Sequence, residues 1–170
     1  MRRLLFLFAA ALAALPAPSA AAPVSASPPA TARAVIRAPL TLTKIDDLNF
    51  GTVVPSALSG AVSIDAVSGA RTAIGGVTGV PSDVGGRAYF RTAGSSNQQV
   101  IVTLTQPLAL TSLAGDTVPV LALTLDGSPV RIINPATGDF HFGVGGIILI
   151  GSNQPEGVYT ATFDVTATYL

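Results

Sequence analysis

Cysteine and tryptophan are both missing from this chain, and histidine occurs once, as His141. Without cysteine there are no disulfides, no thiol nucleophile and no cysteine-ligated metal. A zinc site would need two or three further nitrogen or sulfur ligands beside that one imidazole, and the chain cannot supply them. Charge is also scarce, at 11% of residues. Neither a block of Lys and Arg nor a row of aromatic residues is present, which argues against nucleic acid as a partner. The longest apolar run, Leu4 to Leu15, is shorter than the roughly 20 residues that span a bilayer as a helix. No window carries a convincing helical period, and there is no internal repeat.

What is present is short-range alternation punctuated by turns. Hydrophobic residues make up 49% of the 170, and 17 Gly and 13 Pro are spread among them. The first segment is an exception. Met1-Arg2-Arg3, the apolar run and the small residues ending Ser19-Ala20-Ala21 have the three-part form of a secretory signal peptide over residues 1–21, cut after Ala21. The strongly apolar middle favours the general export route over the twin-arginine one. Losing Arg2 and Arg3 leaves seven basic and nine acidic residues, a net charge of about −2. Residues 22–30 are small, Pro-rich and aperiodic, and read as a flexible leader. Residues 31–170 then form a single domain. A domain near this size can bury about 68–70% of its extended-chain surface, enough to fold without disulfides.

The clearest strand signal is the terminal stretch Gly157 to Leu170. Tyr159, Ala161, Phe163, Val165, Ala167 and Tyr169 fall on one face, and Thr160, Thr162, Asp164, Thr166 and Thr168 on the other. A period of two turns one set toward a core and the other toward water. A strand this long needs a neighbour for its backbone groups. Ala32, Ala34, Ile36, Ala38, Leu40 and Leu42 share one face of a second alternating stretch and are the candidate neighbour, with Pro39 forcing an edge, kink or bulge. Further strands are expected at Leu48–Pro55, Ala61–Asp65, Arg71–Ile74, Arg87–Thr92, Val100–Thr105, Val118–Leu125, Phe140–Val144 and Ile147–Ile150. Nine or ten short strands at this spacing describe an all-β sandwich.

The chemistry of catalysis is thin. His141 sits between Phe140 and Phe142 and should face solvent, with no base or nucleophile beside it in sequence. Asp46-Asp47 reads as a turn pair, since calcium needs six to eight oxygens from a dense acidic loop. The other acidic residues are scattered, so no glycosidase pair can be named. Gly143-Val144-Gly145-Gly146 lacks the helix and the Lys-Ser/Thr of a phosphate loop and suits a bulge or sheet corner. Ser95, Ser112 and Ser152 lie in turns without a nucleophile elbow. Arg87 and Arg91 share a face and suit a solvated surface better than an anion site. No catalytic, cofactor-binding or metal residue is nominated, and an enzyme is not expected.

Four segments carry a family resemblance. Leu40 to Pro55 (L-T-L-T-K-I-D-D-L-N-F-G-T-V-V-P), Gly75-Gly76-Val77, Phe142 to Ile150 and the terminal G-V-Y-T-A-T-F-D-V-T-A-T-Y resemble the secreted bacterial domain-of-unknown-function family numbered 4402. The resemblance covers about residues 32 to 170 and implies kinship with chaperone–usher pilins and spore-coat U-type subunits. It implies an immunoglobulin-like, pilin-like sandwich. Pilins of that class carry a glycine fourteenth from the C-terminus and a penultimate aromatic, and here those places hold Gly157 and Tyr169. Many of them also carry a disulfide, which this chain lacks.

By that resemblance, the C-terminal strand (Gly157, Tyr159, Ala161, Phe163, Val165, Ala167, Tyr169) would serve assembly or chaperone pairing, and Ala32 to Leu42 would be the donated strand. Its partners would be like subunits, a periplasmic chaperone and an outer-membrane usher. Burying Ile36, Leu40 and Leu42 would contribute about 1.5–3 kcal/mol each. The expected function is a non-enzymatic structural subunit of fimbriae or a surface layer, supporting adhesion. It would lie in the periplasm, at the cell surface or outside the cell. The alternative is a self-complemented monomeric binding module for a glycan or protein. The stretch from Ala32 can fill its own domain or the next one, and the sequence leaves both open.

Overall fold

Ten strands and no helix make up the described residues, 31–170, of the computed structural model. The expected signal peptide (1–21) and leader (22–30) lie outside those residues. All ten strands belong to one compact unit, Ile36–Leu170. The strands form two antiparallel sheets, an all-β sandwich architecture.

The larger sheet is built on β9 (Asp139–Ile150). Val144 of β9 pairs with Ala88 of β4 (Ala88–Ala93) and also with Leu125 of β7 (Thr117–Leu125), so those two strands flank it on opposite sides. Farther along, β2 (Val53–Ile64) takes over from β4, pairing Val62 with Ile148. β1 (Thr41–Asp46) adds to β4, β3 (Arg71–Gly79) to β2, and the short β6 (Ala109–Thr111) to β7. The handover from β4 to β2 explains the glycines at 143 and 145. A Cβ at either would run into the carbonyl of Ala66 or Ile64, where the chain leaving β2 crosses β9. These glycines therefore keep one long strand flat beneath another segment. The expected break into two short strands does not occur.

The smaller sheet is β10 (Asp164–Tyr169), β5 (Gln99–Thr105) and β8 (Val130–Ile132), in that order. Val165 lies opposite Leu104 and Tyr169 opposite Val100. The neighbour of the terminal strand is therefore β5, not Ala32 to Leu42. The two alternations are complementary. Val102, Leu104 and Val165 face the core, while Thr103 and Thr166 join their hydroxyls on the outer face. Regular pairing begins only at Asp164, and Gly157–Phe163 lies outside the sheet apart from an isolated bridge at Thr160. Thr31 to Leu40 forms no strand, and β1 begins at Thr41. Pro39, which cannot donate to a ladder, sits just before that start.

Two apolar clusters fill the interior. One joins both sheets, with Ala88, Phe90, Phe142 and Val144 facing Val102, and Leu42, Phe163 and Val165 at its margin. Phe90 stacks on its cross-strand partner Phe142 with centroids 5.3 Å apart, and meets Phe163 edge-on at 6.5 Å. The other contains Val62, Val77, Val118, Val120, Ile148 and Ile150, all from the larger sheet. No strand of the smaller sheet covers it. Only Phe50 and Tyr159, from segments outside any strand, approach it from elsewhere.

Candidate functional site

Above that second cluster lies an apolar groove of about 970 Å³. Leu110, Val118, Val120, Leu123, Ile148 and Ile150 form its floor. One wall is Leu48 to Pro55 with Asp83, and the other is Gln154 to Ala161 with Phe163.

The first wall is backbone held in place by side chains. Arg71, at the start of β3, donates from its guanidinium to the carbonyls of Asp83 (2.7 Å), Val80 (2.8 Å), Thr52 (3.0 Å) and Phe50 (3.4 Å). Asn49 exchanges backbone hydrogen bonds with Gly86, and its side-chain oxygen accepts from the Gly51 amide at 2.8 Å. The Thr52 hydroxyl donates to the Asp83 carboxylate at 2.7 Å. Gly51 has φ +70°, and a Cβ there would strike the Asp83 carbonyl and the Arg71 guanidinium. Each letter of Asn49-Phe50-Gly51-Thr52 thus has a task. Asn49 closes the turn, Phe50 lines the groove, Gly51 adopts the left-handed conformation, and Thr52 ties the wall to the next loop.

The second wall is the start of the terminal stretch. Tyr159 faces the groove, and its hydroxyl donates to the Pro155 carbonyl (2.7 Å) and accepts from Gln154 (3.1 Å). Thr160 exchanges backbone hydrogen bonds with Thr111 at 2.9 and 3.1 Å. That single bridge is the only strand-type pairing between Gly157 and Phe163. Gly157 has no positive φ, and a Cβ there would stand 3.5 Å from Ser112 Cβ, an ordinary contact. Neither conformation nor space demands a glycine at that position.

The terminal alternation therefore splits between two settings. Gly157, Tyr159, Ala161 and Phe163 line the groove, while Val165, Ala167 and Tyr169 belong to β10. Tyr159, Phe163, Val165, Ala167 and Tyr169 are half-buried, and Ala161 is exposed. The N-terminal candidates divide as well. Ala32, Ala34, Ile36 and Ala38 are exposed and belong to no strand, with Ile36 at 94%. Leu40 is half-buried, and Leu42 pairs with Thr92 and packs on the cluster between the sheets. Ile36, Ala38, Leu40 and Leu42 do not line the groove. Arg71 and the 48–55 wall were not nominated from sequence. An arginine opening a strand beside a Gly-Gly pair gave no sign that four carbonyls converge on it.

His141 is exposed and stacks on Tyr89 at 5.6 Å. Arg87 lies 4.8 Å from the Tyr89 ring centre, and Arg91 pairs with Asp139. The Thr137 hydroxyl and then Arg91 hold the Asp139 carboxyl below its ordinary pKa. Hydrogen bonds from the side chain and amide of Ser68 do the same for Asp65. Among the described residues, no group of three or more His, Asp or Glu could hold a metal ion. None of the described residues forms a helix long and apolar enough to cross a membrane.

The family described as "Domain of unknown function (DUF4402)" matches residues 40–169. This chain belongs to the DUF4402 family. The match takes in both groove walls and all ten strands, so the groove lies within the DUF4402 domain. No curated protein and no solved structure matches the chain at a significant level.

Proposed function

We propose that this DUF4402 chain is a non-enzymatic, exported structural subunit that assembles by strand complementation. One observation carries the reading. The apolar cluster at one end of the larger sheet has no covering strand, and a groove with largely unpaired backbone on one wall runs above it. An incoming extended segment would pair with backbone groups of Gly157–Phe163 other than those of Thr160, which already bond Thr111, and set alternate side chains on Val120 and Ile148. Each large side chain so buried contributes about 1.5–3 kcal/mol before ordering costs.

The reading places the protein in the periplasm, on the cell surface or outside the cell, in fimbriae or a surface layer, with adhesion as the use of the assembly. A chaperone and usher would be its assembly partners. An immunoglobulin-like, pilin-like topology is part of the same proposal. A self-contained binding module is the competing reading. It would rest on the Tyr89–His141 stack, but both flanking arginines already have partners: Arg91 has Asp139, and Arg87 has the Ala66 and Val67 carbonyls.

Sedimentation velocity of the chain from Ala22 onward, across a wide concentration range, tests the proposal. Assembly predicts species heavier than a monomer that grow with concentration. A single monomer at every concentration would contradict it.

A further inference from the structure

We infer that Gln154 and Tyr159 form a clasp that shuts the groove in the lone subunit, and that Gly157 is the hinge on which this clasp opens. The inference rests on the function proposed above and concerns how a strand gains entry, not whose strand enters.

No strand covers the groove floor, yet Val118, Val120, Ile148 and Ile150 are only 1–7% exposed. Tyr159 is the one hydrophobic residue of the Gln154 to Ala161 wall that packs against this cluster. Its neighbour Val158 is 78% exposed. The wall thus acts as a lid, with the Tyr159 ring as its inner surface.

One side chain holds the lid down. The Gln154 side-chain oxygen accepts from the Gly151 amide at 3.2 Å. Its nitrogen donates to the Thr117 carbonyl at 3.2 Å and to the Tyr159 hydroxyl at 3.1 Å. The hydroxyl in turn donates to the Pro155 carbonyl at 2.7 Å. Gly151 directly follows β9 and Thr117 opens β7, and those two strands are paired neighbours in the floor. The clasp therefore ties the Tyr159 ring to the ends of the strands beneath it. Asn153, at φ 51°, turns the chain back toward Gly151, and its amide donates to the Ser56 carbonyl at 2.8 Å.

Between the clasp and the Thr111–Thr160 bridge, the wall has no regular pairing. Gly157 lies in that interval. The closed state gives no reason for a glycine there, since its φ is ordinary and a Cβ would fit. A swing of Tyr159 away from the floor does give one, because glycine reaches backbone conformations closed to other residues. The floor is already out of water, so an incoming side chain reaches it only after the lid lifts. Apparent affinity for a strand then falls by the fraction of time the lid is open.

The test uses monomer of the chain from Ala22, isolated by gel filtration, with association followed by light scattering in native buffer. Tyr159→Phe keeps the ring and removes both bonds of the hydroxyl. Gln154→Met keeps the volume and removes all three bonds of the amide. Folded monomer of either variant should associate about fivefold faster than wild type. Gly157→Ala, with the clasp intact, should associate more slowly at unchanged circular dichroism. A clasp with a purely structural task would lower the urea midpoint and leave the association rate of folded monomer alone. If one clasp variant fails to fold, the other decides, and failure of both would make the clasp structural and overturn the inference. Wild-type rates in the folded clasp variants would overturn the clasp, and a wild-type rate in Gly157→Ala the hinge, with strand complementation left standing. A wild-type chain that never associates would overturn both the clasp's task and strand complementation.

Discussion

The Tyr169 side chain hydrogen-bonds the Ala38 carbonyl across 131 residues of sequence, and so joins the last strand to the chain that precedes the first. The same hydroxyl satisfies the partly buried Ser95 amide. Tyr169→Phe keeps the ring and removes both hydrogen bonds. It should lower stability by about 1–2 kcal/mol, most of it from leaving the Ser95 amide without a partner. Urea denaturation of wild type and variant measures this directly, and an unchanged midpoint would mean that these two hydrogen bonds contribute nothing to the fold.

Arg71 makes a sharper case, because four carbonyls on two loops converge on one guanidinium. Arg71→Met should cost about 2–4 kcal/mol, since the carbonyls lose a charged donor in a half-buried place. Arg71→Lys should recover only part of that, because a compact ammonium cannot reproduce the planar fork. Denaturant midpoints of the three proteins, ordered wild type, Lys, Met, would bear this out. Equal midpoints would show that the groove wall holds itself.

The two glycines that a pattern match would treat alike should behave differently. Gly51 has φ +70° and no room for a Cβ, so Gly51→Ala should destabilise by more than about 1 kcal/mol. Gly157 has space and an ordinary φ, so Gly157→Ala should leave monomer stability within about 0.5 kcal/mol of wild type. Thermal melts of both variants distinguish the cases. A severe loss of fold in Gly157→Ala would assign that glycine a structural task that its surroundings do not show.

These contrasts mark how far the sequence could be read. The alternation of Tyr159 to Tyr169 gave the half-buried face at Tyr159, Phe163, Val165, Ala167 and Tyr169, because a period of two fixes the face without reference to a partner, but it failed at Ala161, which is exposed where regular pairing has not yet begun. It could not give the partner, since Val100–Thr105 and Ala32–Leu42 both offer an apolar alternation, and only the packing of Leu104 on Val165 within the core selects the first. Gly143 and Gly145 suggested a corner. They instead mark where another segment crosses a continuous strand, a long-range contact with no local signal. Asn49-Phe50-Gly51-Thr52 was legible as a motif, but its meaning as a groove wall depends on Arg71 and Asp83, which lie in other parts of the chain.

Acid should weaken the fold through two carboxylates. Asp65 and Asp139 have folded-state pKa values below the ordinary one, Asp65 through Ser68 and Asp139 through Thr137 and then Arg91. Their contribution is fully present above the unfolded value of about 3.9 and is lost as pH falls through the lower folded value. Melting temperature should therefore hold steady down to about pH 5 and decline below about pH 4. The double variant Asp65→Asn, Asp139→Asn should flatten that decline. An equally steep decline in the variant would assign acid sensitivity to other groups.

Amide hydrogen exchange at Tyr159, Ala161, Thr162 and Phe163 tests the strand-accepting groove most directly. In dilute monomer these amides lie outside regular pairing and should exchange within the range of exposed chain. On assembly, they should become protected, while the amides of β5 stay as they were. Protection that is already complete in the monomer, or that never appears in the assembled protein, would contradict the account.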